Sequence, residues 1–242
     1  MVMSTLSIVL GITSLIILIL NYTYAVLFSI KFYKIRKNLV RIVAIVAFCC
    51  GSFMLGPSVS FLSLIFTGEN IPATIYYVLS YATVPIVTIG IIIMTFSIVQ
   101  PKYQKYAVFI WSILGLIYWI FMFGFTASQF SVTETEPGEL IDINHESVSL
   151  IITGLSLITS LIVGGGGFVY LSRKFKKLGF SKKEIRKSFL IGIGWMVFVI
   201  LGILEALIPP VSITFVIINR MLMFIAFNFV FMGYWSKPTK LQ

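Results

Sequence analysis

The sequence predicts an all-α integral membrane protein: a single bundle of seven transmembrane helices, N-terminus outside and C-terminus cytoplasmic. Three observations predict it. First, 59% of the 242 residues are apolar and only 11% are charged, against about 25% charged in a soluble domain. The mean hydropathy of +1.04 is more apolar surface than a water-soluble fold of this size can hide. Second, the apolar residues fall into seven runs of about 20 or more, enough to span a hydrocarbon core about 30 Å thick at about 1.5 Å per residue. Third, the charges between the runs alternate in sign. The composition excludes a soluble enzyme, a disordered tail and a disulfide scaffold. The short alternating segments of an outer-membrane barrel are absent.

The first run, 3–30, stops at Lys31. It is too long for a cleavable signal, lacks a basic start and has no A-x-A-like site, so it reads as a signal anchor. The glycosylation sequon Asn21-Tyr22-Thr23 lies inside it and is a chance match. The second run, 39–66, begins around Arg41 and holds Pro57 and the adjacent Cys49 and Cys50. Neighbours on a helix point about 100° apart, and the chain has no other cysteine, so no structural disulfide is expected. The third, 71–99, lies between Pro72 and Pro101 and contains Pro85. An internal proline removes a backbone bond and kinks its helix.

The fourth run is 106–126. A polar stretch, Ser128 to Ser147, separates it from the fifth, 148–171, which carries four glycines, Gly164 to Gly167. No Lys-Ser/Thr follows them, so they are not a phosphate loop. They serve close helix packing or a flexible point. The sixth run, 188–208, has a cytoplasmic approach in which Ser181 and Glu184 have the spacing of a capping box. The seventh, 211–235, follows a tight turn at Pro209-Pro210.

All eighteen Lys and Arg residues except Arg220 fall after runs 1, 3, 5 and 7. The opposite connections hold Glu69, Glu134, Glu136, Glu139, Asp142 and Glu146 and no basic residue. Basic connections stay cytoplasmic, which fixes the orientation. Tyr33, Tyr103, Tyr106, Tyr170, Tyr234 and Trp235 fall near the same boundary, where amphipathic rings settle. The net charge of +10 is therefore a topology signal and implies no nucleic acid. The densest cluster includes Arg173, Lys174, Lys176, Lys177, Lys182 and Lys183. It has the density of sites that recruit anionic lipid, and it is also where a cytoplasmic signalling partner would touch.

Two charges lie inside runs, Glu205 near the outer end of helix 6 and Arg220 in the outer half of helix 7. A charge in the hydrocarbon costs a few kcal/mol, so such residues pair or line a polar cavity. A bidentate interhelical staple and a ligand-binding charge are both consistent with the pair, with Asn219 beside it. Tyr77, Tyr81 and Asn228 are candidates to line the same cavity, with packing as their default role.

Catalytic chemistry is missing. The single histidine, His145, lies in the outer loop with Asp142 and Glu146. That trio suits weak cation binding at most, and a solvated loop is the simpler reading. There is no His-Glu-x-x-His, no intramembrane aspartate pair and no Cys-His cluster. No catalytic residue, metal or cofactor is expected. Helix 7 has no Lys, so it cannot hold retinal as a Schiff base.

The stretch from Lys187 to Trp235 has a basic entry to helix 6, an acid before proline (Glu205 to Pro210), Asn219-Arg220, and the ending Met232-Gly233-Tyr234-Trp235. In this it resembles a family of archaeal seven-helix membrane proteins, similar to the N-terminal sensor bundles of some histidine kinases. The resemblance implies a sensor or signalling role. Only seven residues follow Trp235, so a signal would pass to a separate partner. A small-solute or ion transporter and an accessory subunit that packs against membrane partners are the alternatives. The accessory reading expects no pocket, with the small residues of helix 5 facing outward.

Overall fold

The computed structural model of the chain describes residues 3–133, 138–207 and 212–235. Helix dominates. Six helices are long and apolar enough to cross a bilayer, and a seventh span results if one bent pair is counted as a unit. The first span is α1 (Thr5–Ile35), capped by Ser4, whose hydroxyl accepts from the Ser7 N–H. The bent pair is α2 (Asn38–Ser52) and α3 (Leu55–Thr67), inclined by 42°. The next span is α4 (Ala73–Tyr81) with α5 (Val84–Val99), followed by α6 (Pro101–Gly124). A further span joins α7 (Ser147–Thr159) to α8 (Gly167–Lys177) through a π-helical segment, Ser160–Gly166. The last two are α9 (Lys182–Leu207) and α10 (Ile213–Trp235). The turn expected at Pro209-Pro210, Glu134, Glu136 and the basic residues of the tail lie outside the described residues.

Helix α1 turns its more polar face inward. Helix α1 buries Ser7, Gly11, Ser14, Ile17, Asn21, Ala25 and Phe28, one stripe at helical spacing, and exposes Ile12, Ile16, Ile19 and Val26. In water the stripe would be reversed. Lipid is as apolar as leucine, so small and hydroxylated residues face inward and aliphatic ones face out. The main core joins Phe28, Val46, Cys50, Ile91, Trp195, Phe227 and Phe231 from α1, α2, α5, α9 and α10. A second cluster joins Tyr77, Trp111, Tyr118, Met122, Ile143 and Ile152. Helix α6 lies at the periphery against α5 and α7.

Both prolines interrupt their spans one turn upstream, as expected from the missing N–H and the clash with the carbonyl four residues back. Pro57 follows the break at Phe53–Met54, and Pro85 follows the break at Ala82–Thr83. Carbonyls freed at the breaks need new donors, because lipid supplies none. Tyr118 OH donates to the Tyr81 carbonyl at 3.2 Å, and Trp119 Nε1 to that of Ala82 at 2.8 Å. Thr83 Oγ1 donates to the Cys49 carbonyl at 3.1 Å and so ties the two breaks together.

The glycine run lies in and after the π-helical segment and faces inward. A Cβ on Gly164 would lie 2.9 Å from Ile91, one on Gly165 2.4 Å from Met196, and one on Gly167 2.5 Å from Thr95. Gly192 of α9 meets the run from the other side, its Cβ position 2.8 Å from the Gly165 carbonyl oxygen. The two backbones touch, so of the two roles open to the run, close packing is the one seen.

One end of the bundle differs from the expected loop. Strands β1 (Phe130–Thr133) and β2 (Asp142–His145) form an antiparallel hairpin, Phe130 opposite His145 and Thr133 opposite Asp142. It closes the acidic end through hydrogen bonds from helix ends. Ser7 Oγ accepts from the Leu140 N–H at 2.9 Å. Asn70 Nδ2 donates to the Glu139 carbonyl at 2.7 Å while its Oδ1 accepts from Ser60 Oγ at 2.7 Å.

Candidate functional site: an intramembrane ion pair and a buried histidine

Glu205 and Arg220 meet. Helices α9 and α10 pack together, and Arg220 Nη2 donates to Glu205 Oε1 in a salt bridge. Asn219 Nδ2 donates to the other carboxylate oxygen at 3.3 Å. The two ends of the pair are unequal: Arg220 is 6% exposed and Glu205 34%. The second guanidinium nitrogen, Nη1, reaches the sulfur of Met54, at the break between α2 and α3. Its Nε has no hydrogen-bond partner among the described residues. The staple is therefore three-way. It links a partly accessible acid through a buried cation to the hinge of the bent span. Both residues were legible as charges in apolar runs; nothing in the sequence marks Met54.

The proposed cavity-lining residues lie elsewhere. Asn228 Oδ1 accepts from Tyr24 OH at 2.7 Å, and its amide donates to the Phe224 carbonyl at 2.8 Å. Tyr77 and Tyr81 of α4 pack on His145, with ring centroids 5.7 and 4.2 Å from the imidazole. Tyr77 also stacks on Phe130 at 4.8 Å. Its hydroxyl donates to Ser149 Oγ, which lies 2.7 Å from His145 Nδ1. The Ser149 N–H donates to Gln129 Oε1 at 3.1 Å. Which of Ser149 and His145 donates in this contact follows from the imidazole tautomer. Nε2 is buried with no hydrogen-bond partner among the described residues. Burial holds the ring's pKa down at about 4 against its ordinary 6.5. His145 is thus a neutral peg of the hairpin, not a group in a solvated loop. Ser149, four residues on, was the one sequence signal for this cluster.

At the basic end, Ser181 begins α9 as a cap. Its hydroxyl donates to the Glu184 carboxylate at 3.0 Å and accepts from the Glu184 N–H at 3.4 Å. Gly179, at φ +74°, turns the chain between α8 and α9, and Phe175 stacks on Phe180 at 4.5 Å. This turn divides the basic cluster. Arg173, Lys174, Lys176 and Lys177 are exposed at the end of α8. Lys182 and Lys183 instead line an open cleft of about 350 Å³ with Arg186, Lys187, Leu190, Met232 and Gly233. A second cleft of about 700 Å³ is lined by Ile93, Val108 and 101–106. Neither includes Glu205 or Arg220.

The long apolar helices, the inward polar stripe and the interhelical ion pair define a polytopic helical membrane protein. Comparison of the chain with protein-family models, curated proteins and solved structures gives no match.

Proposed function

We propose that the chain is a seven-span sensor- or receptor-like membrane protein, with the acidic end outside and the basic end in the cytoplasm. It binds its signal at the acidic half and passes it to a separate cytoplasmic partner at the basic end. One observation carries the reading. Glu205 is only partly buried, and its partner Arg220 also holds Met54 at the break in the second span. A ligand or proton that neutralises Glu205 frees Arg220 to rearrange, and the element Arg220 contacts at its break is that bent helix.

A transporter is the second reading. The observation that favours it is the interrupted spans, since carriers build midplane sites from broken helices. The accessory reading loses one of its two expected signs, because the glycine run faces α5 and α9.

The test uses the full chain with Cys49 and Cys50 replaced by Ala and spin labels at positions 37 and 105 of the basic end. The sensor reading expects Glu205→Gln to shift the distance distribution between the labels. Proteoliposomes enclosing a pH dye should then show no proton- or sodium-driven flux. Flux that depends on Glu205 would replace the sensor by a carrier. An unchanged distribution without flux would refute both.

A further inference from the structure

We infer that the cleft between the start of α9 and the end of α10 is a binding site for one anionic phospholipid. The inference rests on the membrane placement proposed above and assigns a ligand class to part of its basic end.

Four cations converge there, Lys182, Lys183, Arg186 and Lys187, all on the first two turns of α9. Lys31 comes from α1. Its ammonium donates to the carbonyls of Tyr234 and Trp235 at 3.1 and 2.7 Å, capping α10, and it lies close enough to Lys187 for the two charges to interact. The one carboxylate of this segment, Glu184, bonds Ser181 and also interacts with Lys187, which leaves the cations in excess. The N-terminus of α9 adds its own positive pole and N–H groups. The net positive charge gathered there from two helices favours an anion among the side chains.

The walls say what kind of anion. Leu190 and Met232 are apolar, and Met232 is exposed on the flank of α10. Gly233 lets α10 approach: a Cβ there would lie 2.4 Å from Ile191 and 3.5 Å from the Lys187 carbonyl oxygen. The cleft is basic at its rim and apolar along the side that continues into the hydrocarbon. A free phosphate would use only the rim. A phospholipid uses both, its phosphate among the cations and its acyl chain along Leu190 and Met232. The exposed cations of α8 line neither of the two clefts.

The test measures lipid retention by native mass spectrometry of the full chain in detergent, titrated with phosphatidylglycerol or phosphatidylcholine. Wild type should retain one phosphatidylglycerol selectively. Lys183→Gln with Arg186→Gln should weaken that retention about tenfold, the size of one or two juxtamembrane charges at about 1 kcal/mol each. Lys176→Gln with Lys177→Gln removes equal charge outside the cleft and should weaken it much less. Equal losses in the two variants would reduce the site to diffuse attraction and overturn the inference. So would competition by glycerol phosphate at the lipid's own concentration, which would mark a site for free phosphate. Thiol labelling of single cysteines at positions 69 and 177 from each side of the membrane reads the orientation separately. A reversed orientation with selectivity intact would overturn the topology and leave the lipid site standing.

Discussion

Acidification should undock the hairpin at the acidic end, and His145 is the reason. The ring is held neutral by burial with its pKa at about 4, against 6.5 when released. Its described neighbours Tyr77, Tyr81 and Ser149 carry no charge below neutral pH. Above about pH 7 the ring is neutral docked or undocked, and pH has no effect through it. Between 6.5 and about 4 the undocked ring takes a proton that the docked ring refuses, so docking weakens as pH falls. The loss approaches about 3 kcal/mol, at 1.36 kcal/mol per unit, and levels off below pH 4. The chain contains one histidine, so untagged protein labelled at the imidazole carbon gives a single resonance to titrate. Amide exchange across 130–133 and 142–145 in nanodiscs reports docking over the same range. The expected result is a midpoint near pH 4 and protection, the exchange rate relative to the intrinsic rate at each pH, that falls between pH 6.5 and 4, both abolished by His145→Gln. A midpoint near 6.5, or wild-type protection indifferent to pH, would refute the argument.

Other predictions follow from the same geometry. Glu205→Gln strands a buried guanidinium, whereas Arg220→Met leaves an acid that is only partly buried. The first should cost more, on the order of 2 kcal/mol in detergent unfolding, and the double variant should recover most of it; equal costs would sink the asymmetric pair. Gly192→Ala drives a methyl against the Gly165 carbonyl and should lose about 1–3 kcal/mol. Gly154→Ala meets nothing within 4 Å and should be neutral or raise the melting temperature. Trp119→Phe strips the Ala82 carbonyl of its donor and should cost about 1–3 kcal/mol, with faster amide exchange confined to the α4–α5 break.

Much of this architecture was legible before any coordinates. Apolar run lengths gave the spans, Ser181 and Glu184 the start of α9, and Pro57 and Pro85 the interrupted helices. Glu205 and Arg220 were found because charge in an apolar run is costly, and the cost implies a partner. Other features were not legible. The stretch from Ser128 to Ser147 read as solvated because its residues are polar, yet parts of it pair into a hairpin whose partners, Ser7, Asn70 and Tyr77, are distant in sequence. Tyr77, Tyr81 and Asn228 were grouped with the ion pair by depth alone, and depth carries no information about which helix faces which.

The sequence by itself determined what each segment is: its length in the bilayer, its polarity, and the end at which its charges collect. Those properties follow from solvation, and each residue carries its own. Only the tertiary structure decided the partners. It put Met54 under Arg220, gave the freed carbonyls of the α4–α5 break to Tyr118 and Trp119, and divided one basic cluster into an exposed helix end and a cleft against Met232. In lipid, apolar faces are equivalent to their solvent, so helix order is set by small residues that let backbones touch and by polar groups that must find one another. Those are properties of pairs, and a single chain read residue by residue does not contain them.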